Sequence, residues 1–486
     1  MNTAFRLFKN SFALSVAVGV ERIVSFVLPL YIARSIGVSG LGFYATINSL
    51  WLIFESLAYL GLDQVLMRDV AREPKQAPML LMNAGVVGLF SSLVFGVAMV
   101  GVAYLLNYPA VVIQSIYIVA GFVLVFDTLS TIAESIVKGL ERMEFVLFVR
   151  FPANLLRVVL SVFALSRGAG LASVFWVSGF FQIALLLGFS WLILSWHNEA
   201  GSLRAHVRFS WPLCRRLTRT TLVFLGISLF AAVFGNVNVI LLSKLQNERA
   251  VGIYDAASKI VQMGKMLSPA LMLALYPTLA RAFANSETQL GRLVVQFLKL
   301  LLILLLPVVL FVWVFAKDII LLFYKDSFAE AVILLRVLIW ILPPFFANNL
   351  LFRAMLASNN EKITLRIAGT NAVINLILDI ILIPTLGALG TSIAAVITTV
   401  VAFIQNYYYL NRRVCPLNLS RVIILPMCSV GLAFGVYMAL SRINVFIALA
   451  GAFVVYAGFL VLSRTLSYTE WRYAVQIWQR ISSHNL

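Results

Sequence analysis

Arg22 stands near the middle of an apolar stretch running from Ser11 to Ala33, where a cation needs a partner or a ligand. Placing Arg or Lys at a bilayer centre costs about 3 kcal/mol on insertion scales, so such residues face a protein interior or a watery cavity. The same situation recurs at Glu21, Glu55, Asp127, Glu134, Arg157, Asp255, Lys259, Lys265, Arg336 and Asp379, all inside or at the edges of apolar segments. The depth and sign of Arg22, Lys259 and Lys265 point to a cationic cavity able to hold an anionic group, and phosphate or diphosphate is the anion best matched by Arg and Lys donors. Gln262, Asn48 and Arg336 are the further candidates for substrate binding. The carboxylates Glu21, Glu55, Asp127, Asp255 and Asp379 are candidates for holding a coupling proton or sodium ion. For each charge the competing reading is a structural ion pair or a side chain snorkelling to the interface, and it is the stronger one for Arg157, Arg336, Glu134 and Arg353 near helix ends.

The spacing of these residues predicts helix faces. From Asp255 the chain reads DAASKIVQMGKM, so Asp255, Ser258, Lys259, Gln262 and Lys265 follow at three- and four-residue steps along one side of a helix. Asp255 and Lys259 can pair at i, i+4. Asn48, Glu55 and Tyr59 share a second face, and Asp127, Thr131, Glu134 and Lys138 form a third stripe. Ser15, Arg22 and Pro29 recur at seven-residue intervals, and Pro29 can kink the first helix where it lines a cavity. Arg336 is followed by Pro343, Pro344, Asn348 and Asn349.

The elements that must carry these faces are membrane helices. The chain has 486 residues, 62% hydrophobic and 12% charged, with mean hydropathy +0.98. A soluble domain carries roughly 25% charged residues. We expect an all-α polytopic membrane protein with about fourteen spans, each needing about 20 apolar residues. The N-terminus reads as a retained first helix, because it has no small-residue cleavage pattern. Loops holding Arg68, Arg72, Lys75, Arg204, Arg208, Arg215, Arg216, Arg412 and Arg413 alternate with loops holding only Arg34, Arg167, Lys244, Arg249, Lys317, Lys325 and Arg442. The positive-inside rule makes the first set cytoplasmic, with both termini inside the inner (plasma) membrane. Basic loops beside anionic lipid also account for most of the +18 net charge, so no nucleic-acid partner is needed. Cys214, Cys415 and Cys428 have no CxxC spacing, and His197, His206 and His484 are scattered, so neither metal nor cofactor is expected. No loop has room for a soluble catalytic domain, typically about 50 residues or more, so any function resides among the helices.

An internal repeat organises the chain. Gly42-Phe43-Tyr44-Ala45 enters the second span, and Gly252-Ile253-Tyr254 with Ala256 enters the eighth. In that register Lys265 corresponds to Glu55. An even number of helices between the copies leaves them in the same orientation. The expected domains are a six-helix lobe over 1–210, a second six-helix lobe over 211–413, and two additional helices with a tail over 414–486.

Three stretches carry a resemblance to a known family. LYIARSIGVSGLGFYATINSLW with GLDQVLMRDVARE, LSKLQNERAVGIYDAASKIV, and NLILDIILIPTLGALGTSIAAVIT with Asn375, Asp379, Pro384, Gly387, Gly390 and Ala394 resemble the Wzx-type oligosaccharide flippases of the multidrug, oligosaccharidyl-lipid and polysaccharide (MOP) exporter superfamily. The resemblance covers roughly residues 1 to 410. It implies two lobes around a central cavity and a non-enzymatic, alternating-access transport of polyprenyl diphosphate-linked oligosaccharide to the outer leaflet for polysaccharide or O-antigen assembly. It also implies membrane lipid and, as candidate protein partners, a polysaccharide polymerase and chain-length machinery. Arg22 matches a cavity arginine of peptidoglycan-precursor flippases, and Lys259 or Lys265 meets the eighth-helix basic position. The rivals are a cation-coupled multidrug antiporter of the same superfamily, against which the deep basic residues argue, and a membrane glycosyl polymerase, which would need a large outer loop. A major-facilitator transporter would need a glycine-rich basic signature after the second span, and a scaffold would not need the buried charges.

Overall fold

In the computed structural model, residues 24–198, 208–358 and 360–463 are described, and among them the chain is helical throughout. The first unit is assembled from α1 (Val24–Ser35), α2 (Val38–Ala58), α3 (Leu62–Arg72), α4 (Ala77–Leu105), α5 (Ala110–Ile118), α6 (Leu124–Gly139), α7 (Met143–Ser166), α8 (Gly170–Asn198), α9 (Trp211–Leu245) and α10 (Glu248–Lys265). There follow α11 (Leu267–Asn285), α12 (Glu287–Val314), α13 (Ala316–Phe323), α14 (Ala331–Leu338), α15 (Leu342–Ala357), α16 (Glu361–Leu386), α17 (Ala388–Arg413), α18 (Ser420–Leu440) and α19 (Val445–Leu462).

Among the described residues, ten helices are long and apolar enough to cross a membrane, or eleven if the bent pair α2–α3 is one span. The count expected from sequence was about fourteen; the described residues begin inside the first expected span, and α10 is more polar than a typical span because it carries Asp255, Lys259 and Lys265. Local signals place the helix ends. Asn247 caps α10 by accepting from the Ala250 amide at 2.9 Å, and Asn444 caps α19 by accepting from Phe446 at 2.8 Å. Leu60 and Gly61, at φ 55° and 77°, turn the chain through the 44° bend between α2 and α3.

The described residues form two compact units by contact. Residues up to Leu267, with Ile320–Leu334 and Ile374–Ala394, make one; Ser268–Ile319, Leu335–Val373 and the described residues from Ala395 make the other. In the first unit α2 packs against α9 and α10, and α6 against α3, α4 and α8. In the second, α12 packs against α15 and α18, and α18 against α19.

Exposure is inverted relative to a soluble protein. Phe148, Val97, Phe90 and Trp191 are largely exposed, whereas Ser92, Thr128, Ser130, Asn154 and Gln182 are buried. Lipid offers no hydrophobic drive for burying Phe or Leu, so helices associate through small residues and interhelical hydrogen bonds. Gly96 lets α4 approach the Ala120 carbonyl closely, and Ser91 Oγ donates to the Ala58 carbonyl at 2.6 Å. In the second unit the Asn406 amide donates to Asn348 Oδ1 at 3.1 Å, and Asn348 to the Thr399 carbonyl at 2.9 Å.

Candidate functional site

The first unit contains a polar cavity of about 660 Å³. Its walls are supplied by α1 (Ser25, Phe26, Pro29), α2 (Asn48, Trp51, Glu55), α6 (Asp127), α7 (Arg150, Asn154, Arg157), α8 (Ser178, Phe181, Gln182) and α10 (Lys259, Gln262, Lys265). On α2, α7 and α10 these residues stand three and four positions apart, so each of those helices presents one polar face to the cavity.

The frame that brings α2 and α10 together is glycine. A Cβ on Gly42 would collide with the Glu248 carbonyl oxygen, and a Cβ on Gly252 would collide with the Val38 carbonyl oxygen. Gly42 and Gly252 are 210 residues apart, as are Val38 and Glu248, so the contact is reciprocal in the register of the sequence repeat. Close backbone approach at this crossing sets the faces beginning at Asn48 and at Lys259 on a common cavity.

Four cations and two acids line it. Arg157 donates through Nε and Nη2 to Asn154 Oδ1 at 3.1 and 2.9 Å, and its guanidinium lies 5.4 Å from the centre of the Phe181 ring. Asn154 is itself held by Ser25 Oγ at 3.0 Å. Arg150 pairs with both oxygens of buried Glu134 at 3.0 Å, and Lys138 shares that carboxylate at 2.7 Å. Lys259 Nζ lies 3.5 Å from Asp255 Oδ1. On the acid side, Tyr59 donates to Glu55 Oε1 at 2.5 Å and Trp51 Nε1 donates to Asp127 Oδ2 at 3.0 Å. Glu55 and Asp127 both line the cavity. The cavity is thus graded: two carboxyls on α2 and α6, each held by an aromatic donor, and cations on α7 and α10.

The structure brings together Asn48, Glu55, Asp127, Lys259, Gln262 and Lys265 in this one cavity. Asp255 sits beside it as the partner of Lys259. Asp379, on α16, is fully buried, and neither of its carboxylate oxygens has a hydrogen-bond partner among the described residues. Arg336 belongs to the second unit; it donates to the Trp313 carbonyl at 3.3 Å, packs 5.0 Å from the centre of the Trp313 ring, and is not among the lining residues. Arg22 and Glu21 lie outside the described residues. Sequence reasoning passed over Arg150 and Asn154 and gave Arg157 to the helix ends. The signal was present as a polar stripe, Arg150–Asn154–Arg157–Ser161 at three- and four-residue steps along α7.

Beyond the Gly42–Gly252 crossing, the same unit is tied by a second set of contacts. Arg34 donates to the carbonyls of Leu322 and Phe323 at 2.6 and 2.8 Å, and Lys325 Nζ donates to the Arg34 carbonyl at 3.0 Å. Arg249 pairs with Glu330 at 2.9 Å, and Gln246 donates to the Ile383 carbonyl at 3.0 Å. Lys244 Nζ lies 3.4 Å from the centre of the Tyr108 ring, whose hydroxyl is 3.0 Å from Ser243 Oγ. No group of three metal-ligating side chains occurs among the described residues.

A profile described as "Polysaccharide biosynthesis protein" matches residues 7–283, more than half of the chain. The chain belongs to the polysaccharide biosynthesis protein family. A second profile, MatE, matches residues 220–381 of this family member. Among solved structures, the lipid II flippase MurJ in an inward closed conformation superposes with a TM-score of 0.69 at 16% identity, covering 93% of this chain and 99% of that one. An inward-facing multidrug resistance MATE family transporter of the MOP superfamily gives 0.66 at 14% identity, over 83% and 98%. A MOP superfamily transporter from Pyrococcus furiosus, described as having a binding pocket of reverse polarity, gives 0.56 at 14%, over 83% and 96%. At these identities the likeness establishes the fold. Among curated proteins, none matches the chain. This polysaccharide biosynthesis protein is therefore a multi-pass membrane protein with the MOP-transporter fold.

Proposed function

We propose that the protein is a Wzx-type flippase that moves a polyprenyl diphosphate-linked oligosaccharide from the cytoplasmic to the outer leaflet by alternating access. The observation that carries this reading is the cavity wall formed by Arg150, Arg157, Lys259 and Lys265, which outnumber the lining acids Glu55 and Asp127. A diphosphate supplies the anionic oxygens these donors match, and charge-assisted contacts in a low-dielectric setting are the strong ones. In this reading Lys259, Lys265 and Arg157 hold the diphosphate, Gln262 and Asn48 contact the first sugar, and the polyprenyl tail stays in lipid. Arg22 remains in the proposal on its seven-residue spacing to Pro29. Glu55 and Asp127 hold a proton whose exchange couples transport, with Asp255, Asp379 and Glu21 as further coupling groups.

The lobes 1–210 and 211–413 would rock about the Gly42–Gly252 crossing. The ties made by Arg34, Lys325, Arg249 and Lys244 belong to the loop set poor in basic residues, so by the positive-inside rule they close the outer end while cargo enters from the cytoplasm. Both termini are then cytoplasmic. A polymerase with its chain-length machinery would receive the flipped unit.

A second reading is supported by one specific feature. The Glu55–Asp127 carboxyl pair, with the MatE match over residues 220–381, also suits a cation-coupled drug antiporter. Reconstitution separates the two. Liposomes containing the protein and a fluorescent polyprenyl diphosphate oligosaccharide are expected to move glycan between leaflets faster than protein-free liposomes, and Lys265→Ala and Arg22→Ala are expected to abolish the difference. Normal transport by both variants would defeat the cationic-cavity idea, and no glycan movement by folded protein, with efflux of a cationic dye, would favour the antiporter.

A further inference from the structure

A second strongly basic cleft, separate from the cavity, opens at the start of α9. Its volume is about 630 Å³ and its walls are Trp211, Pro212, Arg215, Arg216, Arg219 and Thr220. The segment leading into it is pinned. Fully buried Asn83, on α4, donates through Nδ2 to the Arg208 carbonyl at 2.8 Å and accepts from the Ser210 amide at 2.7 Å. This two-point bond fixes the residues just before the helix. Leu213 and Leu217 are then buried in the apolar cluster that includes Val65, Val70 and Ile136. With those leucines committed inward, Trp211, Arg215 and Arg219, at four-residue steps, are turned out together; Trp211 is 69% exposed.

The arrangement is electrostatically incomplete. Arg216 meets Asp69 at 3.2 Å, but that carboxylate is already engaged by Arg68 at 2.9 Å. Arg215 and Arg219 have no ion-pair or hydrogen-bond partner among the described residues, and no acid lines the cleft. Cations four residues apart on a helix repel. An anion entering between them offsets that repulsion, because both guanidinium forks then act on the same charge. Trp211, exposed at the start of the helix, is a residue type that settles at the headgroup level of a bilayer.

We propose that this cleft is a binding site for the phosphate headgroup of an anionic membrane phospholipid, held by Arg215 and Arg219 with Arg216 at its edge and Trp211 against the glycerol region. The basic loop set to which it belongs is the one assigned to the cytoplasmic leaflet, where anionic lipid attracts such clusters. The site is independent of whether the cavity carries oligosaccharide or drug.

The test uses the full chain in nanodiscs of neutral phosphatidylcholine, titrated with phosphatidylglycerol and read by native mass spectrometry of retained lipid. Arg215→Gln/Arg219→Gln is expected to weaken phosphatidylglycerol retention by about tenfold or more, the loss of a charge-assisted phosphate contact, while phosphatidylcholine retention is unchanged. Arg215→Lys/Arg219→Lys, which keeps the charge and guards against a folding artefact, is expected to fall between wild type and the Gln variant. Arg72→Gln, an exposed cation of the same basic loop set, is expected to have no effect. Equal retention by wild type and the Gln double variant, or an equal loss in Arg72→Gln, would overturn a built site. A loss confined to an added polyprenyl diphosphate, with phosphatidylglycerol unaffected, would overturn the phospholipid assignment.

Discussion

α2 and α10 are the same helix twice in backbone terms and opposites in chemistry. Both enter through a Gly-x-Tyr segment, and each presses its glycine onto the other's first-turn carbonyl, Gly42 on Glu248 and Gly252 on Val38. The residues that follow differ at matched positions: Glu55 stands where the second copy has Lys265, and Ser49 where it has Lys259. The crossing is duplicated while the charge lining the cavity is divided, Glu55 on one copy and Lys259 and Lys265 on the other, with Asp255 behind Lys259. A cavity lined this way sets cations on α10 opposite a carboxyl on α2.

The largest effect is expected from breaking the shared part. Gly42→Val or Gly252→Val puts a side chain where the partner's carbonyl oxygen already sits, and overpacking of this kind costs about 1–3 kcal/mol or more. Thermal stability measured by size-exclusion after heating should fall clearly for both variants, while Gly101→Ala, whose added Cβ meets nothing within 4 Å, should not lower it. A normal melting profile for Gly42→Val would show that α2 and α10 do not depend on this contact.

The next effect tests the divided part. Lys259→Ala and Lys265→Ala each remove a cation from the cavity wall, and hydrogen bonds to charged groups contribute about 1.5–3 kcal/mol. Each variant is expected to lower glycan flipping in liposomes by at least about tenfold at unchanged thermal stability. A sharper form exchanges the charges: Glu55→Lys and Lys265→Glu singly should abolish transport, and together should recover more activity than either. Additive losses in this cycle would mean the two positions act independently. Asp127→Asn and Glu55→Gln are expected to do less to cargo binding and more to its dependence on a proton gradient; an unchanged response to the gradient in both would remove this pair from coupling.

How much of this was legible in sequence follows from the same contrast. The polar faces of α2 and α10 could be read because their charges interrupt otherwise apolar runs at helical spacing, and Gly42 and Gly252 could be paired because Tyr44 and Tyr254 keep the register. α7 was harder. Arg150 lies close enough to a basic loop to pass for an interfacial cation, and only the fold shows Asn154 linking Arg157 to Ser25. Arg336 failed to reach the cavity for the converse reason: a cation in an apolar run is equally well satisfied by a backbone carbonyl and an indole face, and spacing does not tell the two apart. The burial of Asp379 was visible, but its lack of partners was not, since hydrogen-bond satisfaction depends on residues distant in sequence.

The smallest effects belong to the ties beyond the crossing, where the comparison continues in weaker form. Arg34 and Lys244 stand 210 residues apart, each just before its copy of the Gly-x-Tyr segment. Arg34 donates to the carbonyls of Leu322 and Phe323, whereas Lys244 lies over the Tyr108 ring. The register thus repeats the position of a cation while its partner changes from carbonyls to an aromatic face. Arg34 makes two charge-assisted hydrogen bonds, each contributing about 1.5–3 kcal/mol before solvent screening, and the contact of half-buried Lys244 with the buried Tyr108 ring contributes about 0.5–2 kcal/mol. Arg34→Gln should therefore shift the equilibrium between closed and open outer ends by a few fold, and Lys244→Gln by less. Labelling of a cysteine placed at Ala388, beside the Arg249–Glu330 pair, by an impermeant thiol reagent added outside should report the opening, in a background where Cys214, Cys415 and Cys428 are replaced by Ser. A larger response from Lys244→Gln than from Arg34→Gln would reverse the order, and would place the controlling tie on the second copy of the repeat.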